Sequence, residues 1–163
     1  DLILVQLDAH ADLRESYMGN EHNHACTMKR CLDILPQKKI FQIGIRSGTK
    51  EEYKFMIENN QLVDFQTGKN SQELKKAIIS YKNSPIYLTI DLDWFDPSLL
   101  SGTGTPEPGG FFWNDFEVII ETLKSLNIVA SDIVELSPDI DSSGVSSVVA
   151  AKVLRSLIMI LEK

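Results

Sequence analysis

The sequence predicts an α/β fold in which helices cover both faces of a mainly parallel sheet, giving three layers. Short apolar runs typical of buried strands alternate with segments of helical periodicity, and this alternation favours parallel strands joined by helices. Acidic residues follow directly after three of the apolar runs, and in parallel sheets sites form beyond the carboxyl ends of the strands. The 163 residues, of which 43% are hydrophobic, are sufficient for one domain with its own core.

The first part of the chain predicts two strands and two helices. The apolar run at 2–7 is expected to form a buried strand, and a helix is expected at 24–35, where Pro follows. Residues 40–45 predict the second strand. Thr49 and Glu52 have the spacing of a capping box, which predicts the start of the second helix.

The middle of the chain predicts a short strand, a helix and a longer strand. Residues 62–65 are expected to be a short strand, and Asn70 and Glu73 repeat the capping pattern before another helix. The apolar run at 86–90 predicts a buried strand that leads directly into Asp91.

The last part of the chain predicts a helix, a strand and a closing helix. Asn114 and Glu117 are expected to cap a helix, and residues 128–136 predict the last strand. The closing helix is expected at 144–162. Its inward side chains are expected to be Val148, Ala151, Leu154 and Ile158.

The charge and the cysteines exclude several classes of protein. The net charge is −7 and no basic run is present, which argues against nucleic acid and anionic membrane as partners. No apolar run approaches the length of a membrane span. Cys26 and Cys31 have neither a local disulfide spacing nor a metal-ligand spacing, and a reducing, cytoplasmic location fits them best.

The first acidic cluster is Asp8, His10 and Asp12. In extended backbone, alternate residues point to one side, so these three side chains are expected to converge, with Ala9 and Ala11 leaving space between them. Two carboxylates and an imidazole suit divalent Mn, Mg, Zn or Fe. The alternative is a polar loop that follows a strand.

The second cluster is Asp91 and Asp93, which follow the strand at 86–90. Alone they could form a turn with Asp96 and Pro97. Together the clusters supply four carboxylates and one imidazole, which is too much negative charge for one cation and suits two. Two metals about 3.5–4 Å apart can hold a bridging water as hydroxide.

Glu135 and His24 are the remaining candidates for chemistry. Glu135 ends an apolar strand, where a charge is costly unless paired; it is either a partner for a cationic substrate or a carboxylate that caps a loop. His24 could carry a proton near neutral pH or could be a polar lead-in to a helix, and His22 is expected to be solvated. The loop at 102–106 lacks the ending of a phosphate loop and is interpreted as a rigid loop beside the metal site.

Four motifs, taken together, resemble the ureohydrolases, the family of arginases and agmatinases. They are Asp-Ala-His-Ala-Asp at 8–12, Asp-Leu-Asp-Trp-Phe-Asp-Pro at 91–97, Gly-Thr-Gly-Thr-Pro-Glu-Pro-Gly-Gly at 102–110 and Glu-Leu-Ser-Pro at 135–138. The resemblance implies the three-layer α/β/α arginase-like fold, a centre with two Mn²⁺ ions, and a homo-oligomer, commonly a trimer or hexamer.

The resemblance also implies roles for the residues that match the motifs. Asp8 and Asp91 would bridge both metals, Asp12 would complete one site, and His10 and Asp93 would serve the other. Asp12 would also accept a hydrogen bond from the bridging hydroxide.

Outside the metal ligands, the resemblance implies two further roles. His24 matches the proton-shuttling His of the family, and Glu135 matches the Glu that grips the guanidinium group of the substrate. The implied reaction is hydrolysis of a guanidino compound to urea and an amine, with no nucleic-acid or membrane partner.

One departure from the family pattern concerns the N-terminal side. The family has another metal-binding His in a Gly-Gly-Asp-His motif upstream of the first cluster, and no such motif exists here. The chain opens almost directly on a buried strand, without Met. Residues 1–163 are therefore expected to be the C-terminal portion of a single ureohydrolase catalytic domain, and without that His one metal would lack a ligand.

The substrate is expected to be agmatine, giving urea and putrescine in polyamine biosynthesis. Arginases have an Asn for the α-carboxylate of the substrate where this chain has Arg14, and residues 42–48 look more like agmatinases. Guanidinobutyrate is the second candidate and arginine the third. A non-catalytic metal-binding homologue is the rival interpretation, and another two-metal hydrolase, such as a phosphoesterase, would be expected to have more His and basic residues.

Overall fold

A single parallel sheet forms the centre of the protein. The computed structural model describes residues 1–36, 39–59, 62–63 and 76–162. Within these residues the strands lie in the order β3-β2-β1-β4-β5, and each neighbouring pair is parallel. The strands are β1 (Ile3–Leu7), β2 (Ile40–Ile43), β3 (Leu62–Val63), β4 (Ile86–Asp91) and β5 (Ile128–Val134).

Helices cover the sheet on both faces, so the predicted three-layer α/β/α architecture is confirmed. The core on one face joins alternate strand residues such as Val5 to Phe116 and Val153. A smaller core on the other face joins Leu4 to Met28 and Met56. The helices whose bounds are described are α1 (Thr27–Leu32), α2 (Lys50–Glu58), α3 (Trp113–Leu123) and α4 (Val145–Leu161).

The helix starts predicted at His24 and Thr49 are confirmed. A 3₁₀ turn at His24–Cys26 leads into α1, and the Asn23 side chain caps it. The capping box of α2 is complete, because Thr49 Oγ1 accepts from the Glu52 amide at 3.2 Å and the Glu52 carboxylate accepts from the Thr49 amide at 2.6 Å. However, α1 ends at Leu32 rather than at 35; Leu35 directly precedes Pro36 and is therefore disfavoured in helical backbone.

The predicted cap of α3 is wrong by two residues. Asn114 and Glu117 lie inside the helix, which begins at Trp113. The carboxylate of Asp115 instead accepts a hydrogen bond from the Phe112 amide at 2.8 Å. An acid at the third helical position satisfies a free amide at the helix start whatever residue occupies the cap position.

The predicted inward face of α4 is also wrong. Val148, Ala151, Leu154 and Ile158 are exposed, and Val148 is 62% exposed. The buried side chains of this helix are Ser146, Val149, Ala150, Val153, Leu157 and Ile160. Because α4 is apolar almost all round, its periodicity offers two nearly equal stripes, and only the contact with the sheet decides between them.

Two strands end earlier than predicted, and positive backbone angles mark the places. β2 ends at Ile43, before Gly44 with φ +95°, and β5 ends at Val134, before Glu135 with φ +63°. The residues expected at 64–65 and the capping pair Asn70 and Glu73 lie outside the described residues. No helix in the described parts of the chain combines the length and the apolar character that crossing a membrane requires.

Candidate metal centre

The carboxyl ends of β1, β4 and β5 bring the predicted site residues to one edge of the sheet. Leu7 pairs with Ile90, so Asp8, directly after β1, and Asp91, the last residue of β4, lie at the same level on neighbouring strands. A cavity of about 220 Å³ opens at this edge. Its lining includes six of the seven predicted site residues, which are His10, Asp12, His24, Asp91, Asp93 and Glu135.

The seventh residue, Asp8, lies beneath the cavity and is 2% exposed. One ligand atom from each of Asp8, His10 and Asp93 lies within 4.8 Å of the other two. His10 Nδ1 is 2.9 Å from Asp93 Oδ2 and 3.6 Å from Asp8 Oδ1. Among the described residues, these three therefore form the most compact set of donors for a cation.

The backbone around the first cluster is not the extended strand that the alternation argument assumed. β1 ends at Leu7, and the His10 amide donates to Asp8 Oδ1 at 2.6 Å in a tight turn. Asp12 has a φ of +54°, a left-handed conformation that Asp tolerates better than most residues. Asp8 and His10 still meet, but through this turn, whereas Asp12 lines the cavity outside the compact set.

Burial and mutual repulsion disfavour the charged forms of three carboxylates in this cluster, Asp8, Asp12 and Asp91. Burial, reinforced by Asp8 and its neighbours, raises the pKa of Asp12 to about 8 and of Asp91 to about 10. Burial also raises the pKa of Asp8 to about 6. Hydrogen bonds to Asp8 and Asp93 raise the pKa of His10 to about 10. Although burial opposes it, the hydrogen bond from His10 lowers the pKa of Asp93.

The raised pKa values of the buried carboxylates fit a cation site. Buried carboxylates this close need either protons or positive ions to offset their charge. Four carboxylates and one imidazole are the oxygen and nitrogen donors that divalent manganese accepts. The donor set therefore fits two divalent ions by its charge and its chemistry.

Glu135 faces the same cavity with its carboxylate free. It follows the last residue of β5 and is exposed, so solvent offsets the cost of an unpaired charge among its apolar neighbours. Its Oε2 lies 3.6 Å from the point where a Cβ on Gly104 would stand. None of the described residues donates a hydrogen bond to this carboxylate, which leaves both oxygens available to a ligand.

His24 lies at the cavity mouth at the start of the 3₁₀ turn. Its ring packs edge-on against Tyr17, with the ring centres 5.6 Å apart. The guanidinium of Arg14 lies over the ring of Tyr17, 4.7 Å from the ring centre. The side chain of His22 is 78% exposed, as expected of a solvated loop residue.

The loop at 102–106, predicted to be a rigid neighbour of the site, is anchored at its base. The Gly102 amide donates to Ser146 Oγ, and its carbonyl accepts from the Ser137 amide, both at 2.8 Å. Thr105 Oγ1 reaches Asp93 Oδ2 at 3.3 Å. The loop thus connects α4 to a candidate metal ligand.

Sequence reasoning missed three supporting residues. Gln6 donates from Nε2 to Asp8 Oδ2 at 2.7 Å, and Gln42 donates to Gln6 Oε1 at 2.7 Å. Arg46 donates to the carbonyl of Asp93 at 2.7 Å and also to carbonyls of the 102–110 loop. The glutamines had a signal in the sequence, because each is a lone polar residue inside an apolar strand. Arg46 had no such signal, since its hydrogen-bond partners among the described residues are all backbone atoms.

The fold and the site together define an α/β protein with a candidate two-metal centre at the carboxyl edge of its sheet. Comparison with known proteins identifies the family. The family model described as the Arginase family matches residues 1–160, and the chain belongs to this family.

Individual relatives agree with this assignment. An agmatinase from Bacillus anthracis is 33% identical over 162 residues, which are 98% of this chain and 55% of the relative. An N(1)-aminopropylagmatine ureohydrolase from Synechocystis is 37% identical over 94% of this chain and 50% of the relative. A solved structure of a Clostridium difficile protein is 46% identical, with a TM-score of 0.89, over 99% of this chain and 58% of that one. The chain spans about half the length of the curated relatives it matches.

Proposed function

We propose that this chain is part of a metal-dependent hydrolase that cleaves a C–N bond of a guanidino compound and releases urea. One observation carries the proposal. The unpaired carboxylate of Glu135 faces the same cavity as His10 and Asp93, two of the three residues in the compact donor set. A planar cation held by Glu135 would lie beside these metal-binding candidates.

The residues that would hold two Mn²⁺ ions are Asp8, His10, Asp12, Asp91 and Asp93. When bound, such ions supply a water nucleophile near neutral pH and offset the negative charge that develops during hydrolysis. The protein would contribute a fixed set of donors at the end of the sheet, and the raised pKa values of Asp12 and Asp91 support the proposal, because a cation would relieve the repulsion between these buried carboxylates.

Three side chains would handle the substrate. Glu135 would pair with two guanidinium nitrogens, because a carboxylate and a guanidinium match in a two-bond geometry. Asp12 would accept a hydrogen bond from the attacking water and orient it. His24, at the cavity mouth, would give a proton to the leaving amine.

Agmatine is the proposed substrate, giving urea and putrescine for polyamine biosynthesis. The net charge of −7 suits a substrate with two positive charges, and the Bacillus anthracis relative is named agmatinase. N(1)-aminopropylagmatine is the second candidate, since the Synechocystis relative is named for that substrate.

Three further statements stay predictions. The first is that residues 1–163 are the C-terminal portion of a single catalytic domain. The second is a homo-oligomeric assembly as a trimer or hexamer, and the third is a cytoplasmic location. Size-exclusion chromatography with light scattering tests the second on the full-length protein.

The experiment measures urea released by full-length, manganese-loaded protein. The substrates are agmatine, N(1)-aminopropylagmatine, 4-guanidinobutyrate and arginine. We expect release from agmatine and its loss in Glu135→Gln, whereas Glu117→Gln, on the exposed face of α3, should retain it. Release from another guanidine would overturn the choice of substrate. Release from none of them, with two metals bound, would overturn the proposal in favour of a non-catalytic homologue.

A further inference from the structure

Two buried glutamines lie directly beneath the candidate metal centre. Gln6 in β1 and Gln42 in β2 are partners in the parallel register. They are 1% and 0% exposed. Amide groups are rarely buried so fully without a specific set of hydrogen bonds, because their desolvation is unfavourable.

The amide groups of this pair donate to the segment at 8–11, where Asp8 accepts at 2.7 Å and the His10 carbonyl accepts more weakly at 3.5 Å. Gln42 Nε2 donates to the Ala11 carbonyl at 2.8 Å and to Gln6 Oε1 at 2.7 Å. Gln6 Nε2 then donates to Asp8 Oδ2 at 2.7 Å. A carbonyl and a carboxylate can only accept, so the two ends of the chain fix how both amides are turned.

The arrangement is not the one that would best satisfy the amides themselves. Gln42 Oε1 is buried and has no hydrogen-bond partner among the described residues. The other register neighbour of Gln6 is Thr89 of β4, whose hydroxyl donates to Asp132 at 2.7 Å instead. The pair therefore leaves an acceptor unsatisfied while it delivers a donor to Asp8.

We propose that Gln6 is a positioning residue that fixes the carboxylate of Asp8 for metal binding, and that Gln42 holds Gln6 in place. The inference rests on the proposed function, since it takes Asp8 as a metal ligand. Partners behind a metal ligand orient it, and their loss typically weakens metal affinity about 10- to 100-fold. A purely structural amide pair would affect folding stability and leave the affinity unchanged.

The test compares three variants of the full-length protein in Mn²⁺ titrations of the metal-free form. Gln6→Met keeps the length of the side chain and removes the donor to Asp8, and Gln42→Met removes the donors to Gln6 Oε1 and to the Ala11 carbonyl while it leaves the amide of Gln6 in place. The matched control is Thr89→Val, which loses a hydrogen bond on the same face of the sheet that does not reach Asp8. Thermal unfolding of each metal-free variant is measured in parallel.

We expect Gln6→Met to bind Mn²⁺ about 10- to 100-fold more weakly, Gln42→Met to weaken binding less, and Thr89→Val to bind like the wild type. The melting temperature of metal-free Gln6→Met should fall no more than that of Thr89→Val. If Gln6→Met does not fold, Gln42→Met decides the question by the same comparison.

Two results would overturn the inference. One is Mn²⁺ affinity in Gln6→Met and Gln42→Met within twofold of the wild type, and the other is an equal loss of affinity in Thr89→Val. Wild-type protein that binds no Mn²⁺ would overturn this inference and the proposed metal centre together. Weakened Mn²⁺ binding in a protein that releases no urea would support the inference and overturn the proposed reaction.

Discussion

Arg46 makes a sharp test of how the centre is held together, because its only hydrogen-bond partners among the described residues are backbone carbonyls. Its Nη2 donates to the carbonyls of Asp93 at 2.7 Å and Glu107 at 2.8 Å. Its Nη1 donates to Gly44 and its Nε to Pro108, at 3.3 and 3.2 Å. The guanidinium thus connects the segments that follow β2 and β4 to the 102–110 loop.

Arg46→Lys keeps the positive charge and removes the planar arrangement of N–H donors on three nitrogen atoms. An ammonium group has three donors on one atom, so it cannot reach all three segments. We expect the loss of at least one of the two short bonds, and a hydrogen bond to a charged group contributes about 1.5–3 kcal/mol. One kcal/mol moves the melting temperature of a 150–250-residue protein by about 2–4 °C and that of a longer protein by less, which gives a decrease of up to about 12 °C.

The assay is thermal unfolding of the metal-free, full-length protein followed by circular dichroism. Arg155→Lys is the matched control, because Arg155 is exposed on α4 and the same exchange there should move the melting temperature by less than about 2 °C. Equal melting of the two variants would refute the reasoning, since it would mean that the guanidinium of Arg46 adds nothing that a single ammonium cannot supply.

Two further predictions concern pH and packing. The pKa is raised to about 8 for Asp12 and to about 10 for Asp91 and His10, so the folded state binds more protons than the unfolded state between pH 4 and pH 10. The stability of the metal-free protein should therefore fall as the pH rises over this range. Melting temperatures that rise with pH would contradict this. A Cβ on Gly44 would collide with the Trp94 indole, so Gly44→Ala should lower the free energy of unfolding, measured by urea titration, by about 1–3 kcal/mol. The control is Gly109→Ala, where φ is also positive but no atom lies near the added Cβ, and its loss should be smaller.

The strands and their acidic ends could be predicted because both depend on local patterns. Continuous apolar runs of strand length are typical of a parallel sheet covered on both faces, and the carboxyl ends of its strands meet at one edge. Asp8, Asp91 and Glu135 each follow such a run directly. Their shared edge therefore followed from the order of the elements, before any distance was known.

The errors in the prediction lie where two local solutions were nearly equal. The closing helix has apolar residues on more than one side, so Leu154 and Leu157 were equally suitable as inward residues, and only Leu157 is buried. The start of α3 offered acids at both 115 and 117, and only Asp115 lies close enough to satisfy the Phe112 amide. The last strand was expected to continue to 136, but it ends at Val134, and Glu135 has a positive φ.

The sequence by itself determined the class of fold, the order of the elements and which side chains are candidates for chemistry, because these depend on neighbours within a few residues. The tertiary structure decided how the centre is supported. Gln42 lies 36 positions from Gln6, and Arg46 lies 47 positions from Asp93. Contacts over such separations depend on the register of strands and on the path of a loop, and no local pattern of residue types encodes either of them.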